Sequence, residues 1–201
     1  MSGLRLGLDI NIALPANYIM QEMSFEKVVF LGDSGVGKSK LLEALTSSES
    51  VDSDSSNRGE GGFVSSPPAK TMMQYKNLRL ADNKAVQLWD SEEYRRPGVF
   101  RKIYLQRTRA YIITFDVCRA TSFSNCSLYL DMVNDSKAAS AQVLLVGIRK
   151  STSERQVSSQ EAEEWCTAHN CFYLETDGSA SIQPVLLSKL QEVLEKAAML
   201  E

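Results

Sequence analysis

A glycine-rich loop between an apolar strand and a helix constrains the fold of this chain more than any other part of its sequence. Residues 32–39 read GDSGVGKS, match the pattern G-x-x-x-x-G-K-[ST] and follow the apolar run VVFL at residues 28–31. Glycines let successive backbone N–H groups turn toward one anion, and a helix that begins near Lys38 directs its positive end to the same point. Because the helix-like run LLEAL follows at residues 41–45, chance is a weak alternative, and the sequence predicts a site for a phosphorylated nucleotide.

The loop pattern gives each part of the predicted site its own role. Backbone amides hold the phosphate groups first, and Lys38 adds a positive charge on the outer phosphates. The hydroxyl of Ser39 is a candidate ligand of a Mg²⁺ ion that keeps most of its waters. The candidate nucleotide-binding residues are Ser34, Gly35, Val36, Gly37, Lys38, Ser39 and Lys40.

Composition narrows the class of protein. The chain has 201 residues, of which 43% are hydrophobic, and this is enough for one globular domain with a buried core. A net charge of -3 argues against nucleic acid as a partner, because such binding usually needs a basic face. Scattered cysteines and the lack of a signal-peptide pattern predict a reducing, cytoplasmic location. No apolar stretch approaches the ~20 residues that cross a bilayer.

Strand-like and helix-like segments alternate along the rest of the chain. The strand candidates are residues 28–31, 72–80, 85–89, 111–117, 143–146 and 171–174, the second and third of which form a hairpin. The helix candidates are residues 41–45, 123–133, 162–169 after a capping box at 158–161, and 186–197. This order predicts an α/β fold of three layers, with a mostly parallel six-stranded sheet and helices on both faces. The ligand is then expected at the carboxyl ends of the strands.

Two segments differ from this alternation. Residues 1–23 form an N-terminal extension in which leucine and isoleucine alternate with other residues at the period of a half-buried strand, and no function is assigned to it. From about residue 47 to residue 70 the sequence is rich in Ser, Asp, Glu, Gly and Pro, which predicts a disordered insertion. The predicted domain is therefore residues 24–201, interrupted by this insertion.

These segments resemble the small GTPases of the Ras superfamily, and the Rab branch in particular. Residues 32–39 read like a Rab phosphate loop, LWDS at 88–91 looks like the W-D-T motif before the second switch, and YIITFDV at 111–117 resembles the next strand. VLLVG at 143–147 and RQVS at 155–158 also look Rab-like. The resemblance implies the P-loop GTPase fold, GTP or GDP with Mg²⁺, regulatory and effector proteins as partners, and a role as a switch in vesicle traffic.

The resemblance also suggests further metal ligands. Asp90 takes the place of the family aspartate that supports Mg²⁺. Thr71 is the one threonine near the place of the first-switch threonine that senses Mg²⁺ and the terminal phosphate. A threonine that merely begins a strand is the alternative reading of Thr71.

The motif that serves hydrolysis in the family is altered here. The family pattern D-T-A-G-Q reads DSEEY at residues 90–94. Glu93 replaces the glycine whose backbone N–H contacts the terminal phosphate, and Tyr94 replaces the glutamine that orients the attacking water. The resemblance therefore predicts very slow or absent GTP hydrolysis, and no residue is assigned a catalytic role.

The motifs that recognise the base are also altered. The family pattern N-K-x-D reads IRKS at residues 148–151, so the aspartate that accepts two hydrogen bonds from guanine is missing. Losing two charge-assisted hydrogen bonds costs about 3 kcal/mol or more, or at least ~100-fold in affinity. The pattern E-T-S-A-K reads ETDGSA at residues 175–180, where Glu175 and Asp177 are candidate replacement acceptors or solvated loop acids.

Three functional readings remain. The first is a divergent Rab-like switch without a lipid anchor of its own, because the tail KAAMLE lacks the prenylated cysteines of Rab proteins, so that partners must recruit it to membranes. The second is a pseudo-GTPase that serves as an interaction scaffold. The third is a P-loop kinase, which would use the arginines at positions 95, 96, 101, 107 and 109, although these residues more simply form a solvated helix face.

Overall fold

The structure is a computed structural model that describes residues 25–46, 74–90, 105–136, 140–149 and 153–200. The strands are β1 (Glu26–Gly32), β2 (Gln74–Arg79), β3 (Ala85–Asp90), β4 (Ala110–Asp116), β5 (Gln142–Ile148) and β6 (Phe172–Thr176). The helices are α1 (Lys38–Thr46), α2 (Ala120–Ser124), α3 (Cys126–Asn134), α4 (Ser159–His169) and α5 (Gln183–Met199), with a 3-10 turn at Ala180–Ile182 before α5. The N-terminal extension, Thr71 and the insertion at 47–70 lie outside the described residues.

The strands form one sheet in the order β2-β3-β1-β4-β5-β6. Every neighbouring pair is parallel except β2 and β3, which form the antiparallel hairpin that the sequence predicts. Because five strands run in one direction, their carboxyl ends meet at one edge of the sheet, with β1 near the middle. The loop that follows β1 therefore lies where an open α/β sheet usually binds its ligand.

Helices cover both faces of the sheet, which confirms the three-layer prediction. Successive residues of β1 alternate between two buried clusters, so that Val28 and Phe30 pack on one side and Val29 and Leu31 on the other. The first side is closed by apolar residues of α1 and α5, and the second by those of α2, α3 and α4. A parallel sheet that is buried on both faces explains why its strands read as continuous apolar runs.

The helix predicted over residues 123–133 is in fact two helices, α2 and α3. The first begins at Ala120, and Asn125 separates it from the second with φ -71° and ψ -14°, a tightened turn. The residues that start α2 carry no apolar periodicity, so the sequence pattern detected only the buried residues that follow, such as Phe123 and Leu130. The prediction was wrong about both the start and the continuity of this helix.

Other boundaries shift by a few residues. The second predicted strand ends at Arg79, since the backbone of Leu80 already bonds Lys84 in the turn. The last strand is Phe172–Thr176 rather than residues 171–174. The N-cap of the predicted capping box is confirmed, because the Ser158 side chain accepts the N–H of Glu161 at 3.1 Å.

The described arginines of the predicted solvated helix face do not form one. Arg107 lies in a turn with φ 55°, and Arg109 precedes β4 and forms an ion pair with Glu26 at 3.2 Å. The reading of these two residues as part of a helix surface was wrong.

Within the part of the chain that the structure describes, no helix combines the length and the apolar character needed to cross a bilayer.

Candidate nucleotide-binding site

The glycine-rich loop begins where β1 passes close to β4. Gly32 pairs with Thr114 and has φ 137°, and a Cβ atom placed on it would lie 2.3 Å from the carbonyl oxygen of Thr114. Only glycine fits this close approach in that conformation. Gly35 and Gly37 also have positive φ angles, of 76° and 116°. The backbone thus bends sharply between the end of β1 and the first residue of α1.

Lys38 is folded back onto the loop that precedes it. Its Nζ atom donates hydrogen bonds of 2.8 Å to the carbonyl oxygens of Gly32 and Asp33. The residue is only 6% exposed although it carries a charge. These bonds hold the ammonium group beside the loop backbone and the first turn of α1, where the N–H groups have no acceptor within the helix. The arrangement concentrates positive charge and N–H donors, as a phosphate site requires.

Ser39 and Asp90 lie together at the edge of this loop. The Ser39 hydroxyl donates a hydrogen bond of 2.9 Å to Oδ2 of Asp90, the last residue of β3, which is 6% exposed. Oδ1 of Asp90 is buried and has no hydrogen-bond partner among the described residues. A hydroxyl beside a buried carboxylate oxygen is a donor set that suits Mg²⁺. These two residues therefore fit the metal role that the sequence assigns to them, whereas Thr71 lies outside the described residues.

The side chain of Asp33 is anchored away from the loop by the segment that follows β4. Tyr129 Oη donates to Oδ1 of Asp33 at 2.9 Å, and Asn125 Nδ2 donates to Oδ2 at 3.0 Å. Arg119 Nη2 lies 3.9 Å from the same Oδ2 and donates to the carbonyl oxygen of Ser34 at 3.3 Å. The loop pattern allows any residue at position 33, and no local signal pairs it with residues about 90 positions away, so sequence reasoning missed these contacts.

The remaining predicted loop residues lie between these anchors. Val36 is fully buried, while Ser34, Gly35 and Lys40 are exposed. The backbone N–H of Val36 donates to the carbonyl oxygen of Asp33 at 3.4 Å, which closes the turn. The structure thus places all seven candidate residues in one loop and one helical turn.

At the other end of the site, Glu175 is held by internal contacts. Arg155 forms an ion pair with it, and Ser159 and Tyr173 donate hydrogen bonds of 2.9 and 3.0 Å to its Oε2. The hydrogen bond from Arg155 is the main reason that the pKa of the Glu175 carboxyl lies below its usual value. With these partners, Glu175 is poorly suited to the acceptor role that the sequence suggested for it.

Asp177 lies in the loop that follows β6. Its Oδ1 accepts the N–H of Ser179 at 2.8 Å. Hydrogen bonds from the side chain of Ser179, and then from its backbone, lower the pKa of this exposed carboxyl. The loop packs near β5, where Ile148 is 1% exposed in the apolar core. Ile148 is the residue that the sequence resemblance aligned with the family asparagine. Of the two candidate acceptors, Asp177 is therefore the one with an exposed carboxyl group. Glu93, Tyr94 and residues 150–151 lie outside the described residues.

Comparison with known proteins agrees with this geometry. The Ras family model matches residues 27–198, from β1 to the last turn of α5. The chain is 28% identical over 181 residues to the Ras-related protein RABA1g of Arabidopsis thaliana, covering 86% of this chain and 78% of that protein. It is 27% identical over 172 residues to the GTP-binding protein ypt3 of Schizosaccharomyces pombe, covering 83% and 75%. It is 26% identical over 159 residues to the Ras-related protein Rab11B of Nicotiana tabacum, covering 78% and 68%. The matched region contains the phosphate loop and the sheet around it, so the chain belongs to the Ras family, as a Rab-like member of the Ras superfamily of small GTPases.

Proposed function

We propose that this chain binds GTP and GDP together with Mg²⁺ and acts as a Rab-like switch in intracellular vesicle traffic. The observation that carries the proposal is the phosphate loop itself. Lys38 is bonded to two loop carbonyls, and Ser39 touches Asp90 at the end of a neighbouring strand. Membership of the Ras family supports guanine nucleotide as the ligand.

Each of these residues has a defined role in the proposed complex. The loop backbone and Lys38 bind the β- and γ-phosphates, and Ser39 and Asp90 hold the metal ion. When bound, Mg²⁺ neutralises part of the charge on the outer phosphates. The chain itself supplies little for hydrolysis, because Glu93 and Tyr94 stand in place of the phosphate-sensing glycine and the water-orienting glutamine. The nucleotide state is then controlled mainly by regulatory proteins.

A second candidate function is a pseudo-GTPase scaffold, and one observation favours it. The base-binding side has lost polar groups that a guanine would need, since Ile148 is buried in the core and Glu175 is committed to Arg155. A scaffold with this loss would bind nucleotide weakly or without selecting the base. The buried Lys38 and the Ser39–Asp90 contact oppose this reading, because a scaffold has no evident need for them.

The deciding experiment identifies the nucleotide that co-purifies with the protein. Freshly purified wild-type protein is denatured, and the released nucleotide is identified and quantified by chromatography. We expect guanine nucleotide in near-equal amount to the protein. Adenine nucleotide would instead support a kinase-like reading, and no nucleotide would support the scaffold.

Two variants test whether the phosphate loop holds the nucleotide. Lys38→Ala removes the buried ammonium group and is expected to abolish nucleotide retention. Lys84→Ala removes the same charge from the turn between β2 and β3, at the opposite edge of the sheet, and is expected to retain nucleotide like the wild type. Unchanged retention in Lys38→Ala would show that nucleotide is not held by the phosphate loop.

A further inference from the structure

A hydrogen-bonded cluster of Asp33, Tyr129, Asn125 and Arg119 joins the phosphate loop to the segment after β4. We propose that Tyr129 and Asn125 are positioning residues for nucleotide binding, which act through Asp33 and set the rate at which the nucleotide is released. This inference rests on the proposed function, because it concerns how firmly the same loop holds a diphosphate. None of these side chains is assigned to the phosphates themselves.

The carboxylate of Asp33 lies beside a proposed phosphate site and would repel a bound phosphate unless its side chain is held away from that site. Both of its oxygens accept a hydrogen bond, from Tyr129 at 2.9 Å and from Asn125 at 3.0 Å. Arg119 adds a positive charge 3.9 Å from Oδ2. The side chain is 24% exposed, so these contacts direct it toward the protein rather than into bulk water. They offset the repulsion that an acid would otherwise exert on bound phosphate.

The backbone of Asp33 connects this cluster to Lys38. The carbonyl oxygen of Asp33 accepts the Lys38 ammonium group at 2.8 Å and the Val36 N–H at 3.4 Å. Asp33 is therefore anchored through its side chain, and its backbone carbonyl group in turn holds Lys38, the proposed phosphate-binding lysine. Any rotation of Asp33 would shift this carbonyl group and loosen the turn.

The helix that carries Tyr129 is packed into the core. Tyr129 lies on α3 next to Leu130, and Cys126 and Val133 of the same helix are also buried in the core. Asn125 lies at the junction between α2 and α3, and Arg119 donates to the carbonyl oxygen of Ser34, the next loop residue. Asp33 and Ser34 are thus both bonded to side chains of one segment, residues 119–129. A loop that is held in its binding shape loses less conformational entropy when the phosphates bind.

The test measures the release rate of fluorescently labelled GDP from the full chain with Mg²⁺ present. Tyr129→Phe removes only the hydroxyl group, and we expect it to accelerate release by about tenfold, which is the scale for one hydrogen bond to a charged group. Asp33→Ala removes the anchored carboxylate and its repulsion together, and its release rate is the reference for the double variant. Because Tyr129 acts through Asp33, adding Tyr129→Phe to Asp33→Ala should change the rate by less than about twofold. If the double variant instead accelerates GDP release by the product of the two single effects, the inference is wrong.

A matched control separates positioning from general destabilisation. Leu194→Ala removes a buried side chain from α5, on the other face of the sheet from α3 and away from the loop cluster. We expect it to lower the unfolding temperature of the nucleotide-free protein more than Tyr129→Phe does, while GDP release stays close to the wild-type rate. If release in both variants follows their loss of stability, Tyr129 has only a structural role and the inference is wrong.

The outcomes also separate this inference from the proposed function. Wild-type protein that holds GDP, together with a Tyr129→Phe variant that releases it at the wild-type rate, would contradict the positioning role alone. Wild-type protein that does not retain labelled GDP would contradict the proposed function and the inference together.

Discussion

The hydroxyl of Ser39 donates a hydrogen bond of 2.9 Å to Oδ2 of Asp90, across 51 positions of sequence. This contact joins the first turn of α1 to the end of β3, which is the neighbour of β1 in the sheet. Because Oδ1 of the same carboxylate is buried without a partner among the described residues, we regard the pair as a preformed part of the proposed Mg²⁺ site.

The first prediction concerns the metal dependence of nucleotide release. In the wild type, chelating Mg²⁺ with EDTA should accelerate GDP release, because Ser39 and Asp90 would hold a metal ion that neutralises charge on the phosphates. Asp90→Asn keeps the size of the side chain but removes its charge, so release should already be fast and EDTA should add little. Asp82→Asn, the same change in the exposed β2–β3 turn, should behave like the wild type. An EDTA response of wild-type size in Asp90→Asn would remove Asp90 from the metal site.

The second prediction concerns the start of the phosphate loop. Gly32→Ala forces a side chain against the carbonyl group of Thr114 at a φ of 137°, and we expect it to lower the free energy of unfolding by about 2–5 kcal/mol. Gly35→Ala also has a positive φ, but its Cβ meets nothing within 4 Å, so about 1–2 kcal/mol is expected. Urea unfolding measures both. Equal losses in the two variants would mean that the close approach to Thr114 does not decide the residue at position 32.

The third prediction concerns GTP hydrolysis. Glu93→Gly combined with Tyr94→Gln restores the family residues of the second switch and should raise single-turnover GTP hydrolysis by about tenfold or more. The physical reason is that a misplaced reacting group costs on the order of 100-fold in rate. Release of inorganic phosphate is the measurement, and the two single variants serve as controls. Turnover that stays at the wild-type level would show that these two residues do not limit GTP hydrolysis.

The fourth prediction concerns pH and the Arg155–Glu175 pair. The pKa of Glu175 lies below its ordinary value of 4.5, mainly because of the hydrogen bond from Arg155. A lowered pKa means that the stabilisation is fully present above pH 4.5 and is lost as the pH falls from there through the pKa of the folded state. We therefore expect Glu175→Gln to reduce the free energy of unfolding by about 1–3 kcal/mol at pH 7, with the difference from wild type shrinking below pH 4.5.

Glu163→Gln, on the exposed side of α4, is the matched control for this prediction. It should unfold with nearly the wild-type free energy across the whole pH range, because surface substitutions have small effects. A Glu175→Gln difference that persists undiminished at pH 3 would show that the lost stability comes from packing rather than from the charged pair.

Local signals in the sequence were sufficient for much of the fold. The strand, loop and helix around Lys38, the hairpin of β2 and β3, and the capping box at Ser158 all depend on residues within a few positions of each other. Their patterns can therefore be read without a neighbour from elsewhere in the chain. The signal failed at Ala120, where α2 begins without apolar periodicity, and at Asn125, where the helix is interrupted.

The sequence by itself determined the strand–loop–helix unit and the residues of its loop, since glycine, lysine and serine at fixed spacing impose a local backbone shape. Only the tertiary structure decided what surrounds that loop. The contact of Tyr129 with Asp33 spans 96 positions, and that of Arg155 with Glu175 spans 20. Such contacts depend on the order of strands in the sheet and on the packing of helices against it, which bring distant side chains within hydrogen-bond distance without leaving a pattern in the chain.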